Sequence, residues 1–123
     1  MVVAVATSRQ LKLARIYEEK HGVLGAVAAR YVTAGRSVEF NHPTRHGPVH
    51  LLVRGCGETL VVEVHAGSSR VTSDVVQRLV EKAKLLRGRP VLVLYSKSAE
   101  PSPEALELCR VHGVKVKRVR PRS

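Results

Sequence analysis

Residues 48–65, PVHLLVRGCGETLVVEVH, contain the pattern that decides the fold. Hydrophobic residues recur at every second position on each side of Gly55-Cys56-Gly57. The recurring positions are Val49, Leu51 and Val53 before the glycines and Leu60, Val62 and Val64 after them. This spacing around a short loop that contains glycine is typical of a β-hairpin. We therefore expect two antiparallel strands whose hydrophobic side chains form one continuous apolar face.

A turn centred on Cys56-Gly57 fixes the register of this hairpin. It places His50 directly opposite Glu63. His65 then lies on the same face as Glu63, because side chains two residues apart in a strand point the same way. A slip of one residue would set the apolar face of one strand against the mixed face of the other, so the register is well specified.

The remaining sequence predicts helices on both sides of the hairpin and further strands around it. Helices are expected to start at Ser8, at Ser73 or Asp74 and at Ser102, and strands are expected at residues 37–41, 90–95 and 114–119. Whether residues 9–34 form one bent helix or two, with a break at Gly22, stays open. The order α-β-β-β-α-β-α-β predicts an α/β fold in which helices flank a mixed β-sheet. Residues 1–123 are expected to form a single domain with a basic tail at 118–123.

Charge indicates the kind of partner. The chain has 21 Lys and Arg against 10 Asp and Glu, a formal net charge of +11 in 123 residues. Such an excess strains a small domain by self-repulsion, which favours a polyanionic partner over a merely soluble basic protein. Aromatic residues are only 3% of the chain, which leaves little for single-stranded bases to stack on. Duplex or branched DNA is therefore the expected nucleic acid.

Cysteine usage and the amino terminus indicate where the protein works. Cys56 and Cys109 lie far apart and form neither a CxxC pair nor a zinc-binding spacing. Free thiols in a reducing compartment, the cytoplasm, are therefore expected. The apolar start, Met1 to Ala6, is too short for a signal peptide or a membrane span, so no membrane partner is expected. The low content of Asn and Gln suits a thermophilic protein.

Residues 37–95 resemble the PD-(D/E)xK nuclease superfamily, and within it the archaeal Holliday junction resolvases. The family pattern is a helix, a strand and a hairpin that carries an Asp near its first strand and E-x-K on its second, followed by a helix and a buried strand. Glu63-Val64-His65 lies where E-x-K belongs, and His50 lies where the Asp belongs. The resemblance implies a restriction-endonuclease-like fold, a DNA substrate or ligand, a role in DNA repair and a homodimer.

The chemistry of that family depends on charge. Two carboxylates hold a divalent metal ion, and a lysine orients the attacking water or stabilises the developing charge. In this chain Glu63 keeps one carboxylate, while His50 and His65 replace the acid and the lysine. The resolvases also carry a Glu on the preceding helix, and none lies between Gly22 and Val38. The catalytic positions Glu63, His65 and His50 are therefore expected to belong to a relative that has lost cleavage.

Other interpretations of these three residues stay open. Glu63 and His50, with or without His65, are candidate ligands for Mg²⁺, Mn²⁺ or Zn²⁺, because carboxylate and imidazole groups together suit the softer of these ions. Such a site would make the protein an active endonuclease or junction resolvase. The same residues are also compatible with an ordinary solvated strand end.

Several basic residues are candidates for contacts with phosphate groups. They are Arg45, in the loop of residues 42–48, and Arg54, Arg70, Lys115, Lys117, Arg118 and Arg120. A second basic cluster, Lys82, Lys84, Arg87 and Arg89, lies near the end of the helix expected after residue 73. The sequence thus predicts a DNA-binding protein without sequence preference. An interaction subunit of a nuclease or repair complex, in which the basic charge meets an acidic protein, is the remaining alternative.

Overall fold

The computed structural model describes residues 5–121, so the first four residues of the apolar start and the last two of the basic tail lie outside the described part. The elements are α1 (Ser8–Thr33), β1 (Ser37–His42), β2 (Val49–Gly55), β3 (Glu58–Ala66), α2 (Ser73–Leu86), β4 (Arg89–Tyr95), α3 (Pro103–His112) and β5 (Lys115–Val119). This is the predicted order of elements.

The five strands form one sheet in the order β1-β2-β3-β4-β5. The first three strands are antiparallel neighbours, whereas β3, β4 and β5 run parallel to one another. A parallel pair needs a crossover connection, and α2 and α3 supply the two crossovers. The predicted α/β architecture with a mixed sheet flanked by helices is confirmed.

The register predicted for β2 and β3 is also confirmed. Leu51 lies opposite Val62, and Val53 lies opposite Leu60. The two turn residues, Cys56-Gly57, both have positive φ angles, of 54° and 75°. Two central residues with positive φ are the mark of a type I′ turn, whose twist matches that of the strands that it joins.

Two hydrophobic clusters cover the two faces of the sheet. The cluster under α1 contains Val27, Leu51, Val53, Val62 and Val93, and the cluster under α2 and α3 contains Leu52, Val61, Leu79, Leu92 and Cys109. Burial of each large aliphatic side chain contributes about 1.5–3 kcal/mol to the stability of the fold. β2, β3 and β4 supply residues to both clusters, as expected of strands covered on both faces.

Val49 does not continue the apolar face of Leu51 and Val53, contrary to our expectation. It is buried in the cluster under α2. The recorded backbone pairing of β2 with β3 extends only as far as Leu51 and Val62. Beyond that pair a side chain, His50, takes over the contact between the strands, which releases Val49 from strict alternation.

Gly22 resolves the open question about the first helix. It has non-helical angles, φ 55° and ψ −124°, so α1 consists of two helical segments joined at a kink. The backbones pass very close to each other there, because a Cβ atom on Gly25 would lie 1.9 Å from the carbonyl oxygen of Tyr17. Glycine is needed at both positions, at Gly22 for its backbone angles and at Gly25 for the close approach.

Helix caps differ by one residue from two of the predictions. Thr7, rather than Ser8, caps α1, in a capping box with Gln10. Thr72, rather than Ser73 or Asp74, is the N-cap position of α2. The predicted cap of α3 is confirmed, since the Ser102 hydroxyl accepts a hydrogen bond from the Ala105 backbone N–H.

Candidate functional site

The carboxyl ends of β3, β4 and β5 meet at one edge of the sheet, which we call the carboxyl edge. The loops of residues 67–72 and 96–102 leave from it, and the loop of residues 43–48 enters β2 there. His50, Glu63 and His65 all lie on the strands at this edge. In open α/β sheets this is where ligands usually bind.

His50 acts as a hydrogen-bond acceptor at the point where β2 leaves β3. Its Nδ1 accepts a hydrogen bond from the Val64 backbone N–H at 3.0 Å. A neutral imidazole has one donor nitrogen and one acceptor nitrogen, so this bond places the ring proton on Nε2. The ring thereby replaces the backbone carbonyl that would otherwise pair with Val64. Neither ring nitrogen then has a free lone pair for a metal ion.

The same ring nitrogen lies 3.3 Å from Glu63 Oε2. Both atoms are acceptors while Nδ1 takes the Val64 N–H, so this contact is not a hydrogen bond between neutral His50 and Glu63. The carboxylate must therefore find its positive partner elsewhere, because an unpaired charge is costly to bury and the Glu63 side chain is only 16% exposed.

Lys82 of α2 is that partner. Its ammonium group lies 3.5 Å from Glu63 Oε1 and donates a hydrogen bond to the Pro48 carbonyl oxygen at 2.9 Å. Lys82 is 6% exposed and buried beneath the helix. Lys82 is therefore not part of an exposed basic cluster with Lys84, Arg87 and Arg89. The spacing in the sequence indicates this burial, because Lys82 follows Leu79 by three residues and so lies on the buried stripe of α2.

The His65 side chain has a different hydrogen-bond partner, Ser69. Its Nε2 lies 2.8 Å from the Ser69 carbonyl oxygen and 3.3 Å from the Ser69 hydroxyl. Since a carbonyl only accepts, Nε2 donates to it, and the ring holds the loop of residues 67–72 to β3.

The described residues do not form a metal-binding cluster. Over residues 5–121 no group of three or more His, Cys, Asp or Glu side chains is placed to hold a metal ion. The three-ligand set of His50, Glu63 and His65 is therefore not assembled. What remains, one carboxylate beside a lysine and an imidazole whose Nδ1 is occupied, does not fit a hard divalent cation, which prefers several oxygen ligands.

Exposed basic residues lie on the loops and strand ends of the carboxyl edge. They are Arg45 on the loop before β2, Arg70 on the loop after β3, Lys97 on the loop after β4 and Arg120 just after β5. Arg45, Arg70 and Arg120 belong to the predicted phosphate-binding set. Lys97 was missed, because a single lysine after a strand carries no periodic signal.

The loops that carry these residues are joined to each other. The Val71 N–H donates to the Glu100 carbonyl, and the Ser102 N–H donates to the Val71 carbonyl. Val71 is completely buried, so the loops after β3 and β4 form one packed unit. Backbone hydrogen bonds therefore hold together the two loops that carry Arg70 and Lys97.

The other predicted phosphate-binding residues are either paired within the protein or lie away from this edge. Arg118 belongs to β5, so the basic tail expected at 118–123 begins too early, and the Arg118 guanidinium donates to the carbonyls of Ser96 and Ala99 at 3.0 and 2.7 Å. Lys115 and Lys117 share one side of β5, as expected, but they line a cavity on the α1 side of the sheet.

Arg54 lies away from the carboxyl edge. It sits next to the hairpin turn, where it pairs with Glu39 at 3.7 Å. The seven predicted residues therefore do not form one surface, because the alternation of side chains along a strand and the position along it divide them between faces and ends.

The topology and the hairpin define a restriction-endonuclease-like fold, the fold implied by the resemblance of residues 37–95 to the PD-(D/E)xK superfamily. Similar solved structures are a repair endonuclease from Pyrococcus abyssi, EndoMS in a complex with dsDNA, and SfsA from Pyrococcus furiosus in complex with Ca²⁺. The TM-score is 0.60 in each case, and the sequence identities are 18%, 20% and 12%.

These similarities cover most of this chain but only about half of each neighbouring protein. The matches cover 98%, 100% and 86% of this chain but 50%, 48% and 57% of the three neighbours. This chain thus spans about half the length of the first two. No family model and no curated protein matches the sequence. Among the helices of residues 5–121, none combines the length and apolar character needed to cross a membrane.

The buried pair of Lys82 and Glu63 yields a stability prediction. Lys82→Met leaves a largely buried carboxylate without its cation, which should lower the free energy of unfolding by about 3 kcal/mol. Adding Glu63→Gln should recover part of this loss, with a coupling energy of about 1–3 kcal/mol. Urea unfolding followed by circular dichroism measures both. The exposed Lys84→Met is the control and should stay within about 0.5 kcal/mol of the parent. Strictly additive losses would show that the two side chains do not interact.

Proposed function

We propose that this chain is a DNA-binding protein without sequence preference that does not cleave DNA. One observation carries the proposal: the only carboxylate at the family's catalytic position, Glu63, is paired with the buried Lys82, and the His50 Nδ1 beside it is occupied by the Val64 N–H. The polar groups of this site are thus used to hold the hairpin, α2 and the loop before β2 together.

Charge supports DNA as the partner. The net charge of +11 and the exposed residues Arg45, Arg70, Lys97 and Arg120 give the carboxyl edge the positive potential that phosphate groups attract. The scarcity of aromatic residues favours duplex or branched DNA over single strands. EndoMS, a protein of similar fold, has been seen in a complex with dsDNA. The homodimer implied by the resolvases remains a prediction.

A second candidate, an active metal-dependent endonuclease, is favoured by one observation. Lys82 brings an ammonium group to within 3.5 Å of Glu63, so a lysine and a carboxylate of the E-x-K type meet, although they come from different elements. This alternative requires a second oxygen ligand in place of His50. A cleavage assay therefore separates it from the first candidate.

Binding of DNA should be dominated by phosphate contacts at the carboxyl edge. Affinity for a duplex with 5′-hydroxyl ends should fall steeply as the salt concentration rises, because binding releases counterions. It should depend little on the base sequence, because phosphate groups are the same along the duplex. Arg45→Ala with Arg70→Ala should weaken binding to all sequences alike and reduce the slope of log affinity against log salt by about 2. Fluorescence anisotropy with labelled duplex and four-way DNA measures both effects.

The matched control removes the same charge elsewhere. Lys115→Ala with Lys117→Ala, on the α1 side of the sheet, should change the slope much less. An equal loss in both double variants would mean that DNA does not prefer the carboxyl edge. Absence of binding at low salt would instead favour the interaction subunit, whose basic charge meets an acidic protein.

The proposal also predicts no cleavage of duplex or four-way DNA by the unmodified protein with Mg²⁺, because one carboxylate does not hold this hard cation. The assay is a gel of end-labelled substrates incubated with Mg²⁺, Mn²⁺ or Zn²⁺. Robust cutting that is abolished in Glu63→Ala, a variant first checked for correct folding, would establish the second candidate and reject the first.

A further inference from the structure

A cavity of about 490 Å³ lies between α1 and the sheet, on the face opposite to α2. Its hydrophobic lining comes from four elements and includes Val27, Leu60, Val91, Val93 and Val119. Its charged lining consists of the basic residues Arg30, Arg36, Arg89, Lys115 and Lys117 and the acid Glu58. Lys115 pairs with Val91 near the start of β4, so this end of the cavity lies opposite to the carboxyl edge. The cavity is therefore separate from the candidate site.

The acid in this cavity neutralises only part of the positive charge. Glu58 forms salt bridges with Arg36 at 2.8 Å and with Arg89 at 3.3 Å. The other three cations, Arg30, Lys115 and Lys117, form no salt bridge with any residue of the described range 5–121. The cavity thus has an excess of positive charge and room for an anion.

Lys117 is the cation most affected by this crowding. Burial lowers its pKa, and repulsion by Lys115, Arg30 and Arg36 lowers it further. Its ammonium group lies 5.5 Å from the centre of the Tyr31 ring, at the boundary between the charged and hydrophobic linings. A bound anion would relieve the repulsion among these side chains.

Tyr31 supplies an unused hydrogen-bond donor in the same place. Tyr31 is 8% exposed. Among the buried side-chain polar atoms of residues 5–121, its hydroxyl is the one that has no hydrogen-bond partner. Burial raises the pKa of this phenol, while the charges of Arg36 and Arg30, which line the same cavity, act against that effect. Buried polar groups are normally paired, so the unpaired Tyr31 hydroxyl beside this cavity is a candidate donor to a ligand.

We propose that this cavity binds a phosphate monoester carried on a flat, largely apolar body, as in a nucleoside 5′-monophosphate. Three unpaired cations match a phosphate monoester, which has close to two negative charges at neutral pH, better than a single carboxylate. The three cations bind the phosphate, and the valine-rich lining receives the body. A shift of the Tyr31 side chain on binding brings its buried hydroxyl to a phosphate oxygen. The cavity volume falls in the range of small-molecule sites. A free nucleotide and the 5′-phosphorylated end of a strand share this chemistry.

The test is a titration of the ¹⁵N-labelled full chain with AMP at low salt, followed by NMR and calorimetry. Backbone signals of Tyr31, Lys115 and Lys117 should shift, and AMP should bind at least tenfold more tightly than inorganic phosphate or adenosine. Lys117→Gln should weaken AMP binding at least tenfold, and Tyr31→Phe about threefold. Since Tyr31→Phe removes only an unpaired hydroxyl, it should not lower the melting temperature, which keeps this arm informative if Lys117→Gln affects folding.

Lys84→Gln, an equal charge change on the opposite face, is the control and should bind AMP as the parent does. Competition of AMP by a 5′-phosphorylated oligonucleotide, but not by its 5′-hydroxyl form, would assign the site to strand ends; no competition by either would assign it to free nucleotides. The proposal is overturned if AMP leaves these signals unchanged, or if Lys84→Gln and Lys117→Gln weaken binding equally. Neither result bears on DNA binding at the carboxyl edge, which is measured with 5′-hydroxyl duplexes.

Discussion

The antiparallel register of β2 and β3 positions the strand side chains of the candidate site. With Leu51 opposite Val62, hydrophobic side chains of both strands meet under α1, and His50 and Glu63 meet on the face under α2. A shift by one residue would exchange the faces and bury charge in the apolar cluster under α1. The type I′ turn at Cys56-Gly57 holds this register from the other end. The hairpin is therefore both the centre of the core and the frame of the site.

Charge compensation explains why the site is built from a helix and two strands. A buried carboxylate needs a cation and hydrogen bonds to offset its loss of hydration, and Lys82 supplies the cation to Glu63. The same ammonium group binds the Pro48 carbonyl, so α2, β3 and the loop before β2 depend on one another. His50 completes the arrangement by accepting the Val64 N–H. In this account the positions where the nuclease family binds metal serve here to join structural elements.

The sequence was sufficient to predict the order of elements and the hairpin register, because both follow from local spacing and glycine positions. It was insufficient where a side chain finds its partner through the tertiary fold. From the sequence, Lys82 was one of four cations in a basic cluster, whereas in the structure it is buried against Glu63. Arg118 was assigned to the basic tail, although backbone carbonyls of the loop after β4 accept hydrogen bonds from its guanidinium. The cavity at Tyr31 has no sequence signal at all, since four separate elements form it.

The position of the proton on the His50 ring shows whether the His50–Glu63 site joins structural elements or holds a metal ion. Long-range ¹H–¹⁵N NMR correlations distinguish the two neutral tautomers of a histidine. We expect the ring proton of His50 on Nε2, with Nδ1 accepting the Val64 N–H, and we expect millimolar Mg²⁺ to leave the ring and the Val64 amide signal unchanged. A proton on Nδ1 directed at Glu63, or a shift of these signals on addition of Mg²⁺, would contradict this expectation.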